Sequence, residues 1–148
     1  MSLLDEALRL ASFGWAVFPC WTVVGGVCAC GTVNCSSAGK HPCSALVRHG
    51  LSEATTDTEM IRSWWTKLPD CNISLLCGAQ SGLVVIDVDV SHGGNFSIEQ
   101  FSLPETVTVQ TGEGYHLYFR YPDPEKYNIR SRVNALGVGV DVRANGGC

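Results

Sequence analysis

Val84-Val85-Ile86-Asp87-Val88-Asp89-Val90 is an apolar, β-branched run interrupted by two carboxylates two residues apart. Such a run predicts a central strand, bounded here as Leu83 to Val90. Side chains alternate across a strand, so Asp87 and Asp89 project from one face with Cα atoms roughly 6–7 Å apart. Two carboxylates on one face of a hydrophobic strand are unfavourable unless something positive lies between them. A divalent cation with oxygen ligands, Mg²⁺ or Mn²⁺, answers that demand and would also orient and neutralise a triphosphate. Taken alone, the pair fits equally a strand end that emerges into solvent with two ordinary surface acids.

Two further stretches bear on the choice. Val138-Gly139-Val140-Asp141-Val142-Arg143 sets a third acid in an apolar strand, with Arg143 two residues on and on the same face. Asp141 would complete a carboxylate set for two metals, and Arg143 would clamp phosphate; the plainer alternative is a local Asp–Arg pair. In Gly112-Glu113-Gly114-Tyr115-His116-Leu117-Tyr118-Phe119, two glycines precede a strand and permit close approach of a ligand backbone or phosphate. Gly114 is therefore a candidate nucleotide contact. His116 and Tyr118 face opposite to Leu117 and Phe119. A lone histidine is commonly structural, but opposite a carboxylate cluster His116 is a candidate for binding triphosphate or incoming nucleotide.

Of eight cysteines, Cys28, Cys30 and Cys35 stand with His41 in the pattern C-x-C-x4-C-x5-H. Thiolate and imidazole ligands at short spacing suit a structural, tetrahedral Zn²⁺. Residues 20–43 show no amphipathic period, so the loop has no core in which to bury unligated thiols. Cys20 and Cys43 flank the group and leave its ligand identity open. Lys40 is adjacent and either reaches phosphate or is simply solvated. Cys71 and Cys77 bracket an apolar run and read as buried small hydrophobes.

The 148 residues, 45% hydrophobic and 16% charged, suit one folded domain. A net charge of -4 argues against a surface coated with positive charge for duplex binding, although Arg120, Lys126, Arg130, Arg132 and Arg143 gather near the C-terminus. No stretch approaches the roughly 20 apolar residues of a membrane span. Asp5 and Glu6 stand where a secretory signal carries positive charge, so the expected location is cytoplasmic. Ser2 caps a first helix with Leu4, Ala7, Leu8 and Ala11 on one face, and Trp15 to Phe18 reads as a strand stopped by Pro19. Asp57 caps a second helix carrying Met60, Ile61, Trp64, Trp65 and Leu68. Strands are expected over Ile73 to Cys77, Thr106 to Gln110, Tyr115 to Tyr121 and Val138 to Val142, with a Gly-rich loop after Val90. The class is α/β or α+β.

In chain order, several elements resemble the bifunctional DNA primase/polymerase N-terminal domain family of the archaeo-eukaryotic primase superfamily. They are Gly14-Trp15-Ala16-Val17-Phe18-Pro19, Gly39-Lys40-His41-Pro42, Ala54-Thr55-Thr56-Asp57 with Trp64-Trp65, and Asn72-Ile73 with Gly78. Asp87-Val88-Asp89, Gly114-Tyr115-His116 and Gly139-Val140-Asp141-Val142-Arg143 follow. The resemblance implies an N-terminal α/β unit packed on an RNA-recognition-motif-like unit, with the active site in the cleft between them and a zinc-binding loop over 20–43. It implies a DNA primase and polymerase that adds NTP or dNTP to a 3′-hydroxyl on a single-stranded DNA template, often fused to or accompanied by a helicase. Asp87, Asp89, His116 and Asp141 would be catalytic; Lys40, Gly114, His116 and Arg143 would contact nucleotide. A metal-dependent nuclease and a non-catalytic nucleotide- or DNA-binding module are the rival readings. Family members continue past the Asp-x-Arg strand, whereas this sequence stops at Gly146-Gly147-Cys148. The domain over 1–148 is therefore expected to lack a closing strand, to leave a sheet edge unpaired, and to bind metal–nucleotide more readily than it polymerises.

Overall fold

Ser2 and Asp5 close a capping box ahead of helix α1 (Leu3–Ser12): the Asp5 N–H donates to Ser2 Oγ at 3.1 Å, and the Ser2 N–H donates to Asp5 Oδ2 at 2.9 Å. This opens a computed structural model that describes residues 1–148, an α+β chain of two compact units, Met1–Leu76 and Cys77–Cys148. In the first unit α1 is followed by β1 (Val17–Cys20), the two-residue strands β2 (Val23–Val24) and β3 (Val27–Cys28), α2 (Thr58–Lys67) and β4 (Asn72–Leu75). Asp57 caps α2, its Oδ1 accepting from the N–H groups of Glu59 and Met60 at 2.8 and 3.2 Å.

Ala7 and Ala11 of α1 and Ile61, Trp64 and Trp65 of α2 meet Val17 and Val47 in the core of this unit, and Trp65 Nε1 donates to the Cys71 carbonyl at 2.9 Å. Met60 departs from the expected apolar face and is exposed. Pro19 also departs from expectation: it lies inside β1, which pairs antiparallel with β4 from Val17↔Leu75 to Cys20↔Asn72. The backbone at Val17 and Pro19 faces away from β4, Val17 bonding Thr55 in both directions and the Pro19 carbonyl accepting from Cys43 N–H. The missing proline N–H therefore removes nothing from the β1–β4 ladder.

The second unit holds β5 (Leu83–Asp89), α3 (Gly94–Ile98), β6 (Val107–Gln110), β7 (Gly114–Arg120) and β8 (Val140–Arg143). All strand pairs are antiparallel, in the order β6-β7-β5-β8. Ile86 and Val88 project from one face of β5 onto Ile98, Val140, Tyr115 and Leu117, forming the core. The five-residue α3 lies in the stretch expected to be a glycine-rich loop; Ile98 anchors it to that core.

The outer edge of β8 is not left unpaired. Arg132 and Val142 exchange N–H···O bonds of 2.8 and 2.9 Å, and the Asn145 N–H donates to the Ile129 carbonyl at 3.1 Å. Residues 129–132 occupy the place at which an absent strand was expected to leave the sheet open.

Candidate functional site

Register on the second sheet decides what meets. Asp87 of β5 lies opposite His116 of β7 on one side and Asp141 of β8 on the other. Paired residues project from the same face, so Asp87, His116 and Asp141 form a row across three strands, opposite the face that carries Ile86 and Val88. One pair further along, Val85 lies between Tyr118 and Arg143, which belong to the same face.

Within the row, His116 Nε2 stands 3.3 Å from Asp87 Oδ1, and Arg143 Nη2 contacts Asp87 Oδ2 and Asp141 Oδ2. The hydrogen bond from His116 is the largest influence holding the Asp87 carboxyl below its ordinary range, and Arg143 adds to it. All four side chains are half-buried. His116 and Tyr118 stack with ring centroids 6.4 Å apart. The arrangement is a carboxylate pair bridged by a guanidinium, with an imidazole alongside: oxygen donors suited to a hard divalent cation, and cationic donors suited to phosphate.

Asp89 does not join the row. Its Oδ1 accepts from Ser91 Oγ at 2.6 Å and from His92 N–H at 3.2 Å, and its Oδ2 lies 2.6 Å from His92 Nδ1. The carboxylate caps the short 3₁₀ turn Val90–His92. The Ser91 bond is the largest cause of its lowered pKa. The three acids thus share a strand face by register without converging as one ligand group. Gly114 is required by the fold itself, since a Cβ there would collide with the Val88 carbonyl oxygen of β5.

Three supporting residues lie outside the expected site. Asn134, at φ 52°, donates its N–H to Asp141 Oδ1 at 2.8 Å, and its own Oδ1 accepts from Gly139 N–H at 2.9 Å. An asparagine in a tight Asn-Ala-Leu-Gly connection was the available signal, because its side chain tolerates left-handed backbone and bonds locally. Ser91 and His92 were signalled by an Asp followed at short range by donors, the pattern of a turn cap.

In the first unit, Cys28, Cys30, Cys35 and His41 bring their ligand atoms within 4.8 Å of one another. Cys28 Sγ and Cys35 Sγ lie 3.5 and 3.4 Å from His41 Nε2. A tetrahedral zinc with bonds of about 2.3 Å to sulfur and 2.0–2.1 Å to nitrogen needs S···N edges of about 3.6 Å. The donor set and spacing therefore fit zinc. The loop is shaped for it by the β2–β3 hairpin, by Trp21 N–H donating to the His41 carbonyl at 3.0 Å, and by Asn72 Nδ2 donating to the carbonyls of Gly39 and Trp21. Asn72 is another supporting residue outside the expected set.

The Thr32 hydroxyl and N–H pull the Cys30 thiol down to about 6, and hydrogen bonding to Cys28 raises the His41 pKa. Cys20 and Cys43 are buried away from the cluster, Cys20 Sγ lying 2.9 Å from Ser74 Oγ. Lys40 is exposed beside His41. Cys71 and Cys77 are buried as expected, and burial pushes each thiol up to about 12. No helix is long and apolar enough to cross a membrane.

The profile of the family described as bifunctional DNA primase/polymerase, N-terminal, matches residues 7–148. No match was found among curated proteins or among solved structures.

Proposed function

From the premise that the chain belongs to the bifunctional DNA primase/polymerase N-terminal family, we propose that it transfers nucleotides from NTP or dNTP to a 3′-hydroxyl on a single-stranded DNA template. The observation that carries this reading is the row His116–Asp87–Asp141 with Arg143 bridging the two carboxylates. It joins oxygen donors to phosphate-binding cations on one sheet face, as nucleotidyl transfer requires.

Asp87 and Asp141, joined by Asp89 once its bonds to Ser91 and His92 give way, would hold Mg²⁺ or Mn²⁺. Bound there, the ions would supply Lewis-acid polarisation of phosphate oxygens and lower the pKa of the attacking hydroxyl. The chain's own residues have separate tasks. Arg143 exchanges its carboxylate partners for phosphate oxygens, His116 Nε2 donates to phosphate, and Asn134 keeps Asp141 aimed. Lys40 is a further phosphate contact. Cys28, Cys30, Cys35 and His41 hold a structural Zn²⁺ that closes the loop over 20–43. The units Met1–Leu76 and Cys77–Cys148 correspond in this reading to the α/β and recognition-motif-like halves of the primase fold, and a helicase is the expected accompanying activity.

The engagement of Asp89 by Ser91 and His92 favours one second reading, a module that binds nucleotide without turnover. Primer extension on a single-stranded template with Mn²⁺, run beside nucleotide binding by calorimetry, separates them. Extension supports the transferase; binding without extension supports the module. Release of nucleotides from a labelled strand without triphosphate consumption identifies a nuclease instead.

A further inference from the structure

The two edges of the second sheet are treated differently. Residues 129–132 cover β8, whereas all four residues of β6 are exposed. Thr111 N–H donates to the Gly114 carbonyl, and Val107↔Tyr118 and Val109↔His116 continue that register. The backbone groups of Val107, Val109 and Thr111 therefore bond inward to β7, and those of Thr108 and Gln110 point outward. Edge strands are commonly protected by a charge, a proline or a bulge. Thr106-Val107-Thr108-Val109-Gln110-Thr111 has no charge and no proline, and Val107 and Val109 are 61% and 41% exposed.

We propose that the free edge of β6 pairs antiparallel with β6 of a second copy of this chain, about a two-fold axis at Thr108, to make one continuous eight-stranded sheet. The sequence is self-complementary in that register. Thr108 exchanges backbone bonds with its own equivalent, Thr106 pairs with Gln110, and Val107 packs on Val109 of the second copy, twice by symmetry. Glu105 falls opposite Thr111. Neighbouring registers are worse. An axis at Val109 sets Glu105 against Glu113 of the second copy, an axis at Gln110 sets Val107 against Glu113, an axis at Val107 sets donor-less Pro104 against Gln110 and Glu105 against Val109, and an axis at Thr106 sets Pro104 against Thr108. A pair of strands this short buries less than the roughly 1,200–2,000 Å² of a tight complex, so the association is concentration-dependent. It rests on none of the metal or nucleotide chemistry.

Sedimentation of the full chain over a hundredfold concentration range tests the pairing. The weight-average mass is expected to rise from the single-chain 15.9 kDa towards twice that value. V109E, which alters an exposed side chain, and T108P, which removes an outward N–H and the Thr108 hydroxyl's bond to the Thr106 carbonyl, are both expected to hold the mass at the single-chain value. Far-UV circular dichroism verifies that each remains folded. Adding V107K to V109E places opposite charges across the axis and restores association. A wild type that stays at the single-chain mass throughout overturns the proposal. Folded variants that associate as wild type does, or a V107K/V109E protein no more associated than V109E, also overturn it.

Discussion

Arg143 Nη2 lies 3.3 Å from Asp87 Oδ2 and 2.8 Å from Asp141 Oδ2, so one guanidinium nitrogen bridges two carboxylates on neighbouring strands. If that guanidinium is the phosphate ligand proposed for it, R143A weakens triphosphate binding by about tenfold or more, or ~1.4 kcal/mol. The same change removes a cation that competes for the carboxylates, so Mn²⁺ binding without nucleotide is retained or strengthened. Calorimetry with each ligand checks both halves. Unchanged triphosphate affinity takes Arg143 out of the phosphate site.

D87A and D89A each abolish nucleotide incorporation by removing an oxygen ligand; D87A also forfeits the contact with Arg143 and D89A the cap on Val90–His92, local losses that leave the chain folded. Primer extension read beside circular dichroism is the measurement. Extension by either variant at a near wild-type rate, with an active wild type, would falsify its assignment.

Asn134 acts on Asp141 through position. N134A forfeits the bond from Gly139 N–H and places an ordinary side chain at φ 52°, at a cost of about 1–2 kcal/mol. N134G keeps the backbone conformation and the N–H to Asp141 Oδ1. It is therefore expected to recover more stability than N134A in urea unfolding and more incorporation at saturating nucleotide. Equal losses in both variants show that the side-chain bond, not the left-handed backbone, is what matters.

Protein purified without chelator is expected to carry about one zinc per chain by elemental analysis. Zinc needs His41 neutral and the three cysteines as thiolates, and Cys28 and Cys30 raise the His41 pKa, so zinc affinity declines as the pH falls. C35S removes one ligand and lowers the zinc content. Undenatured wild type holding less than roughly 0.2 zinc per chain counts against the site.

Acid stability follows from Asp87. Its folded pKa is depressed below the ordinary 3.8, so its contribution is present above about pH 4 and is lost as the pH falls through the depressed value. D87N removes that dependence. Urea midpoints at several acid pH values are expected to fall less steeply for D87N than for wild type; parallel lines would rule out Asp87 as a source of acid lability.

The parts of this fold legible in the sequence are those that local periodicity and caps determine. Asp87 and Asp89 in an apolar run imply a strand face, Ser2 and Asp57 imply helix starts, and Cys28, Cys30, Cys35 and His41 imply a clustered ligand set. What escaped depends on distant partners. Pro19 can enter β1 only because Thr55 and Cys43 take the other edge. The cover on β8 comes from residues 129–132, which carry no strand pattern of their own. Helix α3 begins at Gly94 directly after Gly93, both poor helix formers, and is held by the burial of Ile98 rather than by propensity. Asp89 follows the alternation that aligns it with Asp87, yet its carboxylate is taken by two side chains immediately downstream.

The division of the chain at Leu76–Cys77 also sorts its chromophores. Trp15, Trp21, Trp64 and Trp65 all belong to Met1–Leu76, and Tyr115, Tyr118, Tyr121 and Tyr127 all belong to Cys77–Cys148. Selectively excited tryptophan emission therefore watches the unit that carries the Cys/His cluster, and tyrosine difference absorbance watches the sheet that carries Asp87 and Asp141. A chelator titration followed by emission and a Mn²⁺–nucleotide titration followed by tyrosine absorbance are two separate optical channels in one unlabelled molecule. Loss of the two signals at different urea concentrations would give each unit its own unfolding midpoint.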